Sequence, residues 1–319
     1  MTLSKVHRSS SWIAVLLSLF AATCAVAQPV RDSSMLSVER SAVPARISRT
    51  LQKRPPAVAS PVVGYEIVAG PIVSLAPLSI AGATAQCPAN KVALSAGIDT
   101  QASGDATFGL EVLGAWADGS RTGEVRVRNA NVFVPAQIQA YVVCIADTPG
   151  RRQVDLSTAP QRSTQRAVCA ESERIAGGGI MTRDVNLWLQ RSGPYHDAQQ
   201  NQTMWLGVGW RNVNMGLQPT FLVRALCYPA LAVRGWQLVE GPRVSLGAHG
   251  KTTLSVTCPP GTVALAAGVM TVGEDFDSVW NTLVPSLGGT VTARVHNRNL
   301  VESNGNAFVQ INAVCAERA

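Results

Sequence analysis

The chain has 319 residues, of which 46% are hydrophobic, and a formal net charge of +7. Mapped along the chain, that charge excludes a basic nucleic-acid-binding body. Residues 1–27 hold Lys5 and Arg8, residues 28–62 hold six basic against two acidic side chains, and the remaining 257 residues hold 19 against 18.

In chain order, residues 1–27 read as a secretory signal. Lys5 and Arg8 make the positive start, Trp12 to Ala22 the apolar run, and Ala25-Val26-Ala27 a small-x-small cleavage site before Gln28. The run is shorter than the roughly 20 residues needed to span a bilayer. No later segment qualifies, so the expectation is an exported chain that does not span the membrane. Residues 28–62 contain Pro29, Pro44, Pro55, Pro56 and Pro61 and show no sustained apolar period, which predicts a flexible basic linker. The same charges would suit a tether to an anionic cell surface.

The body is expected to comprise three β repeats, at 63–147, 148–230 and 231–319. Six cysteines fall into pairs with nearly constant spacing: Cys87 and Cys144 are 57 residues apart, Cys169 and Cys227 are 58, and Cys258 and Cys315 are 57. An even set of this kind implies disulfides and an oxidising compartment. Each bridge would contribute on the order of 4 kcal/mol by loop-closure entropy.

Around these anchors other features recur. Ten residues after each first cysteine stands a glycine preceded by small residues: Ser95-Ala96-Gly97, Gly177-Gly178-Gly179 and Ala266-Ala267-Gly268. Each copy carries an Asn-x-Asn pair, at Asn129/Asn131, Asn212/Asn214 and Asn297/Asn299. Copies one and three share a lead-in, Tyr65 to Leu75 and Trp236 to Leu246; copy two has only a shortened version near Val154 to Ser157. Tandem duplication follows from these offsets. The pattern resembles the exported β-repeat proteins common in bacteria, and that resemblance implies no activity.

The segments have the period of strands. Val125 and Val127, Leu206 to Trp210, and Val291 to Val295 alternate with polar or small residues ahead of each first Asn. Alternating apolar positions before Cys144, Cys227 and Cys315 put those cysteines on the buried face. The expected class is therefore all-β, with antiparallel repeats of about 85 residues, each closed by one disulfide. Two closures fit: β-sandwich-like modules in a row, or one pseudo-threefold β-prism.

Candidate site residues come chiefly from copy two. Trp188, Tyr195 and Trp205 are candidate stacking aromatics for sugar rings, whereas Trp210 follows the inward period and reads as core. Arg211 with Asn212 and Asn214 offers guanidinium and amide groups for hydroxyls or a carboxylate; Arg128 and His296 are its counterparts. The competing reading is that Asn closes a turn on its own backbone, and it is the favoured one. The glycines are expected at bulges or close backbone approaches.

Catalytic signals are weak. Past the signal there are three histidines, His196, His249 and His296, and neither a Gly-x-Ser-x-Gly elbow nor HExxH occurs. Glu274, Asp275 and Asp277 read as a solvated turn rather than a cation loop. The sequence thus points to a secreted, non-enzymatic surface-binding protein without a cofactor or metal, whose partner is a cell-surface component or a glycan. The alternative is a secreted hydrolase with an unrecognised carboxylate site.

Overall fold

A computed structural model describes residues 59–100, 109–157, 164–182, 187–211, 221–272, 278–297 and 308–319. The signal and most of the expected linker lie outside these residues. The body is all-β, and the described residues contain no helix. None therefore offers a helix long and apolar enough to cross a membrane.

Nineteen strands are described. The first six are β1 (Glu66–Leu75), β2 (Ile80–Gln86), β3 (Lys91–Thr100), β4 (Leu110–Ala117), β5 (Thr122–Asn129) and β6 (Ala136–Ala146). The middle six are β7 (Arg152–Ser157), β8 (Thr164–Val168), β9 (Glu173–Thr182), β10 (Leu187–Asp197), β11 (Gln202–Arg211) and β12 (Phe221–Pro229). The last seven are β13 (Gln237–Glu240), β14 (Val244–Ser245), β15 (Lys251–Thr257), β16 (Thr262–Val272), β17 (Ser278–Pro285), β18 (Thr290–Asn297) and β19 (Phe308–Glu317).

One pairing scheme occurs in all three segments. β6 lies between β1 and β3, and β5 between β2 and β4. β12 lies between β7 and β9, and β11 between β8 and β10. β19 lies between the broken pair β13/β14 and β16, and β18 between β15 and β17. The two three-stranded layers of a segment face each other: a Cβ on Gly123 of β5 would touch Val142 of β6 and Ala96 of β3. The short lead-in read near Val154 is the edge strand β7.

Burial follows the predicted alternation in β5 and β18, but not in β11, which is buried on both faces over Met204–Gly209. In β5 and β18 every second residue is buried, ending at Asn129 and Asn297. Val142, Ala140 and Ile138 lie inward with Cys144, and Ile311 and Ala313 lie inward with Cys315. All three disulfides form as paired, Cys87–Cys144, Cys169–Cys227 and Cys258–Cys315, each joining Cα atoms 5.6–5.7 Å apart. Three disulfides fit an oxidising extracellular environment.

The segments are joined in a cycle. Single antiparallel bridges connect β4 to β9 (Ala115–Ile180), β10 to β16 (Ser192–Val269) and β17 to β3 (Leu283–Ile98). The first segment thus meets the second, the second the third, and the third the first. A further bridge, Ser95–Gly178, brings β3 beside β9, so that the ladders merge into one 12-stranded and one 7-stranded sheet. Each segment has the two-layer make-up of a sandwich-like module, but the segments are not separate modules in a row, because their strands merge into two shared sheets.

Small residues at the junctions make this closure possible. A Cβ at Gly97 would lie 2.2 Å from the Leu283 carbonyl oxygen, at Gly179 2.3 Å from that of Ala115, and at Gly268 1.9 Å from that of Ser192. Real Cβ atoms do not come that close, so only glycine lets the crossing strand seat. Each glycine follows a bulge that interrupts the β3, β9 or β16 register, at Leu94, Ala176 and Leu265. All three of those side chains are fully buried or within 1% of it.

The chain ends lock the third junction. Val62 donates its N–H to the Glu317 carbonyl and accepts from Ala319, while Arg234 N–H donates to Ser60. The last residues of the stretch read as linker therefore belong to the body. Tyr65 donates its hydroxyl to the Ala264 carbonyl (3.1 Å), and Trp236 its indole N–H to the Ile175 carbonyl (2.6 Å), anchoring two of the three lead-ins to a neighbouring segment.

Gly268→Ala should lower the unfolding free energy by about 3 kcal/mol or more, because backbone must shift to admit the methyl group. Gly247→Ala, with nothing within 4 Å of its would-be Cβ, should change stability by less than about 0.5 kcal/mol. Urea denaturation of the two variants checks the contrast.

Candidate functional site

Strand direction sorts the loops. In the first segment Glu66 pairs beside Cys144, whereas Leu75 and Thr100 pair near the other end of β6. The disulfide therefore marks one end, and the connections β1–β2, β3–β4 and β5–β6 lie at the other. Because the bridges between segments are antiparallel at β4–β9, β10–β16 and β17–β3, the three loop ends share one face. Loops carried on a rigid scaffold are the usual place for recognition. Residues 76–79, 130–135 and 247–250 are the described connections there; the other loops on this face lie outside the described residues.

Buried asparagines build two of these tips. Asn129 has no exposed surface, and its side-chain amide donates to the carbonyls of Val134 (2.9 Å), Ala76 (3.2 Å) and Leu75 (3.4 Å). Its carbonyl oxygen accepts the N–H of Asn131 at 3.0 Å, an Asx turn. Leu78 N–H then donates to the Asn131 carbonyl, clasping the two loops together. Asn297 does the same for its segment, donating to Leu246 (3.1 Å) and Gly247 (2.9 Å). These two asparagines are turn formers, not ligand groups. Asn212 and Asn214, proposed for ligand binding, lie outside the described residues.

What the first tip displays is apolar: Phe133 is 88% exposed, Leu78 68%, Val132 57% and Val134 42%. Sequence reasoning missed these residues because attention went to the polar Asn. The available signal was a run without charge, Ala130 to Pro135, directly after a strand end.

The remaining candidates separate. Trp205 is 2% exposed; its indole N–H donates to the Ser192 hydroxyl at 3.2 Å, and a Cβ on Gly178 would sit 2.6 Å from its ring. It is a core residue seated on a glycine, not a stacking surface, because β11 is buried on both faces over Met204–Gly209. Tyr195, opposite Met204 on β10, is exposed at 38%. Trp188 and Arg211 occupy β10 and β11 backbone positions opposite Trp210 and Leu187; their side chains lie outside the described residues. Tyr195 and Trp205 are therefore not brought together as an aromatic platform.

Arg128, the counterpart of Arg211, is engaged by the buried carboxylate of Glu111, and loss of solvent pulls its pKa down. His296 is pushed down to about 4 by burial first, with Lys251 and His249 adding repulsion. It is a neutral imidazole at physiological pH. On the disulfide end, Trp236 meets His196 edge-on at 6.5 Å and carries Arg174 at 5.8 Å from its ring. That cluster cements the third segment to the second.

Several acidic groups are tied to arginines, among them Glu111, Asp155, Glu173 and Glu317. Asp155 loses solvent, which alone would raise its pKa, yet the Arg224 fork at 2.6 and 2.7 Å and the Gln153 amide bring it below the usual range. Arg152 lowers Glu173 still more directly, helped by the Ala170 N–H. Cys169, Glu173 and Cys227 lie together, but their sulfurs are spent in the disulfide and supply no thiolate for a metal. Glu274, Asp275 and Asp277 lie outside the described residues. A crevice lined by Gly97, Ala264, Ala267, Leu283 and Pro285 at the third junction has about 10 Å³ of free volume, room for about one water.

Comparison with protein-family models and with curated proteins finds no match for this chain.

Asn129→Ala should cost about 1–3 kcal/mol by leaving buried carbonyls unpaired, and Asn129→Asp should cost more by facing a carboxylate toward them. Chemical denaturation at neutral pH measures both, with Asn131→Ala predicted to be milder than either.

Proposed function

We propose that this is a secreted, non-enzymatic β-repeat protein that binds or decorates a surface, with glycans as candidate ligands. The observation that carries the reading is the shared loop face: three disulfide-closed segments locked in a cycle, with their recognition-prone connections at one end. A strand scaffold that holds several loop-bearing ends side by side favours multivalent contact with a repetitive surface.

One further feature favours binding over hydrolysis. Asp155 and Glu173 are held ionised by arginine partners, the opposite of the raised pKa a general acid needs; burial does raise Glu124, against the pull of Arg126 beside it. Tyr195 is the described aromatic candidate left for sugar stacking; it is 38% exposed and lies at the disulfide end of β10, opposite the loop face.

A glycan array probed with the protein from Gln28 onward tests the reading. The expected result is binding to a restricted glycan set; a loss of about tenfold in Tyr195→Ala would place the sugar contact at the disulfide end, and undiminished binding in that variant would leave it to the loop face. A flat array, together with no retention on whole bacterial or host cells, would contradict surface binding.

A further inference from the structure

We propose that the tip formed by residues 76–79 and 130–135 is a lipid-insertion prong, which seats Leu78, Val132, Phe133 and Val134 in the acyl region of a bilayer. This rests on the surface-binding reading above and names the surface.

The tip is rigid before it meets anything. Asn129 ties three loop carbonyls from beneath, Leu78 N–H bonds to Asn131, Ser79 donates its hydroxyl to Ala76 at 2.6 Å, and Ala130 N–H bonds to Gly109. Neither loop contains a charged residue: 76–79 reads Ala-Pro-Leu-Ser and 130–135 reads Ala-Asn-Val-Phe-Val-Pro. No charged side chain need be desolvated for it to enter a bilayer.

The backbone adds an independent sign. Leu78 sits at φ +53°, in the left-handed region that glycine and asparagine occupy most readily. His249 holds the corresponding turn of the third segment at φ +54°. The fold thus demands the conformation, but not an exposed leucine in it. A side chain kept against local preference and pointed at solvent suggests a use outside the fold.

Area decides the occupant. The four exposed side chains present roughly 400–500 Å² of apolar surface, judged from their exposures and an aromatic's 150–250 Å². A standard protein interface needs about 800 Å² from each partner, so the tip alone falls short of a stable contact with a second copy. Interfacial insertion scales with the apolar area buried and has no such minimum. It also requires no complementary pocket for a projecting Phe133.

Vesicle co-sedimentation of the protein from Gln28 onward tests the proposal. One set of vesicles is phosphatidylcholine, and the other is the same lipid doped with phosphatidylglycerol. The native protein should pellet with both, and its binding to phosphatidylcholine should persist at high salt. Leu78→Asn with Phe133→Ser should bind phosphatidylcholine about tenfold or more weakly, and Phe133→Ser alone should lie between. Melting temperatures should stay unchanged, since the sites are exposed and asparagine suits the φ of Leu78.

Three results would overturn the proposal: no binding to phosphatidylcholine, binding confined to anionic vesicles and lost with salt (which would assign it to the basic residues 28–54), or undiminished binding by the double variant. Native dimers that the double variant abolishes, seen by light scattering, would assign the tip to self-association instead. Retention on cells or glycans without vesicle binding would reject the lipid prong and leave the surface-binding reading standing.

Discussion

At Gly97, Gly179 and Gly268 a carbonyl oxygen of the neighbouring segment stands 2.2, 2.3 and 1.9 Å from where a side chain would begin. No residue with a Cβ could occupy these positions without displacing a strand. The cyclic arrangement depends on that contact, since it lets β4, β10 and β17 each cross onto the next segment's β9, β16 or β3. The bulges at Leu94, Ala176 and Leu265 turn those three strands toward one another, and the buried bulge residues fill the centre.

From this constraint follows the polarity of the molecule. Antiparallel crossing holds the three segments in the same orientation, so the disulfides gather toward one end and the β1–β2, β3–β4 and β5–β6 connections, with their counterparts, toward the other. Covalent closure lies within segments, never between them. Between segments the links are backbone approach, the Tyr65 and Trp236 anchors, and the Arg224 and Arg126 donations to Ala117 and Thr182 carbonyls. The first and third segments lack a peptide linkage, and there the strap of Ser60 and Val62 to Arg234, Glu317 and Ala319 replaces it.

The fold was legible in the sequence wherever a short-range rule governs it. Cysteine spacing fixed the pairing, period-two burial placed Val125, Val127, Val291 and Val295 inward, and Asn129 was readable as a turn former. The small-small-Gly positions were readable as close approaches, but not their partners. Gly97 lies 186 residues from Leu283, and nothing local to either reports the contact. Trp205 was misread for a related reason: a tryptophan on a solvent-phased strand position looks exposed until Gly178 of another strand removes the solvent. The apolar tip was overlooked because the adjacent asparagines offered a more familiar chemistry. Their amides prove to be the support, and Leu78, Val132 and Phe133 what is displayed.

The central claim is that the three segments form a single cooperative ring rather than a string of separable modules. Native-state hydrogen exchange with the disulfides intact tests it most directly. The amides of β3, β9 and β16 and their partners β6, β12 and β19 should exchange through one shared opening, with the same free energy and denaturant dependence in all three segments. Three distinct opening free energies, each confined to one segment, would show that the junction glycines do not couple the segments and would contradict the account.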